Sequence, residues 1–484
     1  RHRLVPVIDN GNMVGVISRS DLLEHLKLPR ASDSSSPEDF SGGRERRKSV
    51  KKLLEERTPK RIFEILKKAG QVAANLNYEV FLVGGAARDL LLRNYNLDID
   101  LVVEGDGILF AKALADCYQN CRTRSHEKFG TAVLLFEDGF KMDVATARHE
   151  YYESPGALPQ VEISSIKRDL YRRDFTINTL AVCLNPLNWG TLLDFFGGVR
   201  DIKERVIRVL HNLAFVEDPT RILRAIRFSS RFNFNISKHT LTLIKGALKI
   251  RIFERVEGKR LLNELIHILN ERNPTPAIEQ MATLGALEAM CPGLAFNQKN
   301  SLLVDSVCGV LSWWKYLFLA QKIEPWIVYF YALTDSIDDQ TFVSFATSLS
   351  VVDPQIKHMV KQRHELRWVL NLLEREKLVK SSDICSVLRR LSIESLLFMM
   401  ARATHEHSRR AISEFITTLR HVKSIITGRD LKEMGYEPGP LFGTILNSLR
   451  EARLDGVVKN LDEEIKYVKK FFPLKIEPYQ EIVR

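Results

Sequence analysis

The sequence has little cysteine and no apolar run of the roughly 18 residues that a membrane-spanning helix needs. Its 484 residues include six cysteines, and only Cys117 and Cys121 are close in sequence, at the i,i+4 spacing of a helix. We see no set of histidine and cysteine partners that would complete a metal site with that pair, so we predict reduced thiols and no cysteine-held metal. The opening residues, RHRLVPVID, are charged and strand-like rather than a secretory signal, so we expect a cytoplasmic protein.

Acidic residues are outnumbered by basic ones. The chain has 71 lysines and arginines against 60 aspartates and glutamates, a net charge of +11. That balance permits a polyanionic partner such as RNA without requiring one. The length allows two to four domains with substantial cores.

The patterning predicts an α+β fold. Within residues 60–200, helical periodicity alternates with β-branched strands such as YEVFLVGG, LDIDLVV, TAVLLF and FKMDVAT. After about residue 200 we expect the strands to stop and helices to continue to the end. The predicted arrangement is a mixed-sheet head followed by an all-α neck, body and tail.

The first residues form a separate segment. RLVPVIDNGNMVGVISRSDLLEHL predicts a strand, an Asn-Gly turn, a second strand and a helix starting near Ser18 to Asp21. It resembles the closing half of a CBS module, so we expect a remnant without nucleotide-sensing function, cut from a longer protein. The predicted divisions are a CBS remnant at 1–28, a polar linker at 29–59, the head at 60–200, the neck at 201–275, the body at 276–410 and the tail at 411–484.

Two aspartates interrupt an apolar segment in the head. On a strand, Asp98 and Asp100 point to one face with Cα atoms roughly 6 to 7 Å apart, while Leu97, Ile99 and Leu101 are predicted to face the core. Carboxylates so close repel each other unless a cation lies between them, and Mg²⁺ takes oxygen ligands. Taken alone, the pair is also typical of incidental acids on an exposed turn or edge strand.

A glycine pair precedes these acids. Gly84 and Gly85 end one strand just before a helix, where bare backbone can approach a ligand and free N–H groups favour phosphate. Arg88, one turn into that helix, can add positive charge. Glycines, arginine and the Asp-x-Asp pair together indicate phosphate chemistry.

A third segment, EDPTRILRAIRF at 217–228, has Asp218, Arg221, Arg224 and Arg227 at intervals of three, which places them along one helix face. An aspartate acceptor beside an arginine donor can read the edge of a nucleobase. The alternative is a solvated helix with a charged face.

These segments resemble the class II tRNA nucleotidyltransferase and bacterial poly(A) polymerase family, within the polymerase β superfamily. The resemblance rests on FLVGGAARDLLLRNYNLDIDLVVEG at 81–105, RRDFTINTLAV at 172–182, DFFGGVRDI at 194–202, EDPTRILRAIRF and RVEGKRLLNELIHIL at 255–269. Thr179 departs from the pattern, which has alanine there. The match is close from about 81 to 270 and loose beyond.

The resemblance implies roles for individual residues. Asp98 and Asp100 would be catalytic and hold Mg²⁺, with Asp143 as a third carboxylate or as a structural partner of Arg148. The nucleotide, ATP and possibly CTP, would be bound by Gly85, Arg88, Arg173, Asp218, Arg221, Arg224 and Arg227. Asp174 and Asn178 would contact the ribose or serve the structure.

The implied reaction is attack by the 3′-hydroxyl of tRNA on the α-phosphate of the nucleotide, with release of pyrophosphate. Addition of A, or of C, C and A, would depend on a flexible loop at 122–129 and on the base-reading residues. The glycine-rich tail segment 426–456 would meet the tRNA elbow. Poly(A) polymerase is the main alternative, and a silent RNA-binding or nucleotide-sensing protein is the alternative of another class. No membrane contact is expected.

Overall fold

The computed structural model describes residues 4–9, 12–18, 48–151, 160–375 and 380–474. The chain divides into two compact units, one of Arg1–Ile268 and Pro276–Pro292, the other of Leu269–Thr275 and Gly293–Arg484. Residues 276–292, which the sequence analysis assigned to the body, therefore group with the first unit. Among the described residues, no helix is long and apolar enough to cross a membrane. All six cysteines are free.

The N-terminal segment contains the predicted hairpin. Strands β1 (Leu4–Asp9) and β2 (Asn12–Ser18) pair antiparallel. The helix expected after them lies outside the described residues, and the CBS assignment stays a prediction.

The C-terminal end of the predicted linker is structured, so that part of the 29–59 prediction is wrong. Strand β3 (Lys48–Ser49) pairs with the segment Thr191–Asp194, and helix α1 (Lys51–Arg57) follows directly. Two apolar anchors, Val50 and Leu54, are buried there. Two apolar residues among polar neighbours are too few to show a helical repeat in the sequence.

The head consists of a mixed sheet covered by helices. Its further helices are α2 (Lys60–Asn75), α3 (Gly84–Leu92), α4 (Gly107–Ala115), α5 (Ile166–Tyr171) and α6 (Gly198–Glu204). Its further strands are β4 (Glu79–Val83), β5 (Ile99–Glu104), β6 (Arg122–His126), β7 (Thr131–Leu135), β8 (Lys141–Thr146), β9 (Arg148–Tyr151), β10 (Gln160–Ile163), β11 (Leu180–Cys183) and β12 (Thr191–Asp194).

Eight strands pair in the order β3-β12-β11-β4-β5-β8-β7-β6, and β9 and β10 form a separate hairpin. Neighbours are antiparallel except β5 and β8, which run parallel with Asp100 opposite Asp143. The segment 122–129, expected to be a flexible loop, is instead the edge strand β6 and a short 3₁₀ turn. Its mostly exposed polar residues gave no alternation to reveal a strand.

Strand β5 begins at Ile99, two residues later than the predicted segment LDIDLVV, which starts at Leu97. Ile99 and Leu101 are buried as predicted, but Leu97 is 42% exposed. Asp98 immediately precedes the strand rather than lying on it. The alternation therefore holds only from Ile99 onward, because residues 93–98 form a connection between α3 and β5.

The rest of the first unit is mainly helical: α7 (Ala214–Glu217), α8 (Arg221–Phe232), α9 (Lys238–Lys249), α10 (Gly258–Leu269), α11 (Thr275–Leu284) and α12 (Ala286–Met290). The expectation that strands stop near residue 200 is wrong for two short strands. Strands β13 (Val206–Ile207) and β14 (Asn235–Ile236) pair parallel over two residues each, which is too short for a sequence period.

The second unit is helical where it is described. Its helices are α13 (Gln298–Tyr316), α14 (Pro325–Leu333), α15 (Asp339–Ser348), α16 (Asp353–Glu374), α17 (Ser381–Leu388), α18 (Ile393–Arg402), α19 (Glu406–Thr417), α20 (Gly428–Glu433), α21 (Pro440–Leu454) and α22 (Leu461–Phe471). The last three enclose a small apolar core that includes Leu431, Leu449 and Val468. Beneath it, buried Glu464 accepts hydrogen bonds from the backbone N–H groups of Ile425 and Ile426.

Gly70 permits the close contact between α2 and the end of β11. A Cβ at position 70 would overlap the carbonyl oxygen of Leu184. We expect Gly70→Ala to lower the free energy of unfolding by about 1–3 kcal/mol, because backbone must move to admit the methyl group. Urea unfolding of the full chain measures this change.

Gly246→Ala is the matched control. Gly246 also lies within a helix, α9, but a Cβ there would have no neighbour within 4 Å. Alanine should therefore stabilise that helix by about 0.5–1 kcal/mol. Equal urea midpoints for the two variants would contradict this account of Gly70.

Candidate active site

A cavity of about 560 Å³ in the first unit brings the predicted site residues together. Its walls come from the start of α3, the segment before β5, residues 172–178 and the first turns of α8. The nine residues that the resemblance assigned to Mg²⁺ or to the nucleotide without an alternative role all line it: Gly85, Arg88, Asp98, Asp100, Arg173, Asp218, Arg221, Arg224 and Arg227. Asp174 and Asn178 line it as well, and Asp143 is not among the lining residues.

Three carboxylates gather at one edge of this cavity. The parallel pairing of β5 and β8 places Asp143 opposite Asp100, and Asp98 precedes β5. One oxygen from each of the three lies within 4.8 Å of the others. Of the two roles that the sequence left open for Asp143, this placement favours the third carboxylate, while Arg148 donates to the carbonyl oxygen of Phe129.

The cluster is electrostatically unfavourable by itself. Burial raises the pKa of Asp100 to about 6, Asp98 and Asp143 add to the rise, and Arg173 opposes it. Burial and then the charge of Asp98 also raise the pKa of Asp143. A hard divalent cation with oxygen ligands would remove this repulsion, so the donor set fits Mg²⁺.

Gly84 keeps the approach to these carboxylates open, whereas a Cβ at Gly85 would make only ordinary contacts, the nearest at 3.5 Å from Asn96 Nδ2. Gly84 has φ +66°, and a Cβ there would lie 2.8 Å from Arg173 Nη1 and 3.5 Å from Asp100 Oδ2. Both the backbone conformation and the space therefore require glycine. At this point α3 begins, and its first N–H groups have no partner within the helix.

Arg173 is anchored beside the glycines. Its Nη2 lies 3.3 Å from Oδ2 of buried Asp169. Burial opposes ionisation of Asp169, but Arg173 and Arg172 outweigh it and hold its pKa below the usual range. Nε of Arg173 is buried without a hydrogen-bond partner, so this guanidinium keeps a donor available.

Arg88 is held by protein groups on every side. Nε and Nη2 donate to the two carboxylate oxygens of Asp89, at 2.9 and 3.0 Å, and Nη1 donates to Asn178 Oδ1 at 2.7 Å. The guanidinium also lies over the rings of Phe228 and Phe232. Arg88 lines the cavity as part of a fixed network, and its contact with a nucleotide stays a prediction.

Asn96 is a site residue that the sequence analysis missed. Its Nδ2 donates to Asp89 Oδ2 at 2.7 Å, and its Oδ1 accepts from the backbone N–H of Asp98 at 2.8 Å. Asn96 thereby fixes the backbone of Asp98 to α3. An asparagine two residues before an aspartate in a connection is the pattern of an Asx turn, which could have indicated it.

Asp218 and Arg221 lie together at the start of α8. Asp218 Oδ1 accepts from the N–H and hydroxyl of Thr220, and Oδ2 lies 2.9 Å from Nη2 of Arg260 on α10. Arg221 Nη2 donates to the carbonyl oxygen of Arg172. Nη1 of Arg221 is buried without a hydrogen-bond partner, which leaves a donor beside the aspartate.

The next turns of α8 join a buried ion-pair network. Arg224 contacts Asp174 Oδ2 at 2.7 Å and Glu264 Oε1 at 3.1 Å, and Arg227 lies 3.5 Å from Glu264 Oε2. Burial opposes ionisation of Asp174, yet Arg224 and a hydrogen bond from Asn178 lower its pKa to about 2. Asp174 and Asn178 thus link α8 to Arg88.

Two further residues of this network went unnoticed in the sequence. Arg260 and Glu264 are four apart on α10. Arg260 contacts Asp218, just before α8, and Glu264 contacts Arg224 and Arg227 on α8. Opposite charges at i,i+4 are common on solvated helices, so their spacing alone gave no reason to select them. Thr179, the departure from the family pattern, is buried and donates to the carbonyl oxygen of Thr176.

Known proteins match this chain in sequence and in structure. The "Poly A polymerase head domain" family matches residues 80–208, and the "Probable RNA and SrmB- binding site of polymerase A" family matches 233–297. An A-adding tRNA nucleotidyltransferase of Halalkalibacterium halodurans is 30% identical over 84% of this chain and 92% of its own length. This chain belongs to the tRNA nucleotidyltransferase family.

Other members of the family agree. An A-adding tRNA nucleotidyltransferase of Geobacter sulfurreducens is 46% identical over 96% of this chain and 53% of its own length. The chain spans about half the length of that relative and of the Aquifex aeolicus relative, 53% and 48%. The apo form II structure of a CCA-adding enzyme has a TM-score of 0.74 at 35% identity, covering 87% of this chain and 99% of its own. The predicted family and the α+β fold are confirmed.

The carboxylate cluster generates a prediction about cation binding. Mn²⁺, a paramagnetic stand-in for Mg²⁺, should bind the full chain in the absence of nucleotide. Because a proton and the cation compete for Asp100, affinity should fall as pH decreases through about 6, the pKa of that carboxyl, and level off above it. Free Mn²⁺, followed by electron paramagnetic resonance, measures the binding.

Asp100→Asn should reduce the affinity at least tenfold and flatten its pH dependence, because the amide cannot ionise. Asp116→Asn, on an exposed acid after α4, is the matched control. Unchanged binding in the Asp100 variant would show that the cluster holds no cation.

Proposed function

We propose that this chain transfers an adenylyl group from ATP to the 3′ end of tRNA, completing the CCA terminus by addition of its A. The observation that carries the proposal is the meeting of three carboxylates with an arginine-lined cavity at the glycine turn. That arrangement suits a reaction in which a polyphosphate and a cation must lie side by side. Three relatives are A-adding tRNA nucleotidyltransferases, which supports the choice of nucleotide and acceptor.

The triphosphate would lie between the glycine turn and Arg173. The first N–H groups of α3 and the positive end of its dipole favour an anion there. Arg173 Nε, which is buried without a protein acceptor, can donate to a phosphate oxygen. Asp169 keeps the guanidinium in this orientation.

The base would be read by Asp218 and Arg221. The carboxylate of Asp218 accepts from Thr220 and Arg260 and retains lone pairs for an amino group of a base. Arg221 Nη1 supplies a donor beside it. The ion pairs of Arg224 with Asp174 and Glu264 hold α8 in place, so the two reading groups are fixed before the nucleotide binds.

Asp98 and Asp100, with Asp143 beside them, would hold Mg²⁺. When bound, Mg²⁺ makes the RNA 3′-hydroxyl a better nucleophile and offsets charge on the leaving pyrophosphate. Asn96 maintains the position of Asp98 through its backbone. The remaining contribution of the protein is positioning of the two substrates.

A basic face supports an RNA substrate. Exposed Lys238, Lys245 and Lys249 follow one side of α9 with Thr242 between them, and such a row can contact successive phosphates. The predicted contact between segment 426–456 and the tRNA elbow rests on the exposed N-terminal turn of α21 after Gly439 and stays a prediction. A cytoplasmic location fits tRNA maturation and is likewise proposed.

Incorporation into three tRNA transcripts tests the proposal. The transcripts end at the discriminator base, at C or at CC, and each labelled nucleotide is supplied with Mg²⁺. We expect one A on the CC end alone, and no incorporation by the Asp98→Ala, Asp100→Ala double variant. Ordered C, C and A on the shortest transcript would mean full CCA addition, and long A tails on any RNA would mean poly(A) polymerase. No incorporation by the intact chain would favour the silent binder.

Arg221→Ala should raise the KM for ATP about 5- to 150-fold, the range expected when one specific base contact worth about 1–3 kcal/mol is lost. The KM for tRNA should change little. Steady-state kinetics on the CC-ended transcript measure both. Arg251→Ala is the control, because Arg251 is also in the first unit with its side chain 80% exposed. An unchanged KM for ATP in the Arg221 variant would contradict the base-reading role.

A further inference from the structure

A second, smaller cavity of about 340 Å³ opens in the first unit where the connection after α3 meets the junction of α1 and α2. The junction contributes Glu56, Arg57, Thr58 and Pro59, and the connection contributes Arg93, Asn94 and Tyr95. None of these residues has a role in the site described above.

This cavity adjoins the carboxylates through the chain itself. Asn94 and Tyr95 line the smaller cavity, whereas Asn96 and Asp98 line the larger one. Tyr95 and Asp98 are three positions apart in the chain, so their Cα atoms are at most about 11 Å apart. A base stacked on Tyr95 would therefore be separated from the carboxylates by the length of only a few nucleotides.

The connection is held in a defined conformation. Arg93 adopts the left-handed conformation, φ +58°, that ends α3, and the N–H of Asn94 donates to the carbonyl oxygen of Asp89 at 2.9 Å. On the other side, the Asn96 side chain ties the connection to Asp89. Tyr95 thus projects from a segment fixed at both ends.

The side chains suit one kind of ligand. Tyr95 is 72% exposed, and Arg57 and Arg93, both exposed, line the same cavity. Glu56 is the single acid among the seven residues lining the cavity. An exposed aromatic ring beside guanidinium groups is the arrangement with which proteins bind single-stranded nucleic acid, by stacking on a base and pairing with phosphates.

We propose that Arg57, Arg93 and Tyr95 form a platform for the unpaired nucleotides of the RNA strand just before its reacting 3′ end. The inference rests on the proposed function and adds a strand-binding subsite to it. Stacking on Tyr95 tolerates any base, because every base has a π face. The platform therefore holds the strand, while the nucleotide site sets what is added.

Binding of a fluorescein-labelled RNA to the full chain tests the platform, by anisotropy without ATP or divalent cation. The RNA is an acceptor-stem hairpin with an unpaired 3′ extension ending in CC. Tyr95→Ala should weaken binding about 5- to 150-fold, the usual loss for one stacked base. Tyr95→Phe should bind like the unaltered chain, because stacking needs the ring and not the hydroxyl.

The contribution of Arg57 and Arg93 is measured separately, by the salt dependence of RNA binding. If each contacts one phosphate, the double variant Arg57→Gln, Arg93→Gln should make the slope of log affinity against log salt shallower by about 1.4, that is, about 0.7 for each contact with a single strand. A blunt hairpin without the 3′ extension should bind all variants equally. Circular dichroism confirms that each variant is folded.

Tyr316→Ala is the matched control, because Tyr316 is 77% exposed and lies in the second unit. Unchanged RNA affinity in Tyr95→Ala, an equal loss in Tyr316→Ala, or a loss confined to ATP binding would overturn the platform. Failure of the proposed function gives a different result. A chain that binds the extended hairpin through Tyr95 but incorporates no nucleotide keeps the platform and loses the transferase.

Discussion

The repulsion among three carboxylates is the constraint on which the candidate site depends. Asp98, Asp100 and Asp143 come together because β5 and β8 run parallel and in register. Burial, together with Asp98 and Asp143, raises the pKa of Asp100, and Arg173 opposes only part of that rise. The opposite wall of the cavity is rich in arginine. A cation would neutralise the carboxylates, and a polyphosphate would neutralise the arginines. This charge complementarity underlies the proposed nucleotidyl transfer.

Around the carboxylates, many interactions hold the side chains that line the cavity in fixed positions. Hydrogen bonds and ion pairs run from Asn96 through Asp89, Arg88, Asn178 and Asp174 to Arg224 and Glu264. The network joins α3 to α8 and α10. Because each buried charge in it has a partner, loss of one member leaves another uncompensated. In the proposed reaction, this fixes the base-reading groups relative to the carboxylates before the substrates bind.

Sequence reasoning located the parts of the site that are encoded locally. The glycine turn, the Asp-x-Asp pair and the α8 arginines are each contained in a dozen residues, and the nine residues assigned to Mg²⁺ or to the nucleotide without an alternative role all line the cavity. Asp143 stayed ambiguous because its place depends on the pairing of β5 with β8. Arg260 and Glu264 could not be selected, because their contacts cross from α10 to α8. Leu97 was misplaced because alternation was extended into a connection.

Transfer of the α-phosphate is the central claim, and labelled ATP tests it most directly. The full chain is incubated with Mg²⁺ and a CC-ended tRNA, using ATP labelled at either the α- or the γ-phosphate. The account predicts that the α label enters the RNA in a one-to-one ratio with acceptor ends, and that the γ label is released as pyrophosphate. Gamma label in the RNA, or release of label without RNA extension, would contradict it.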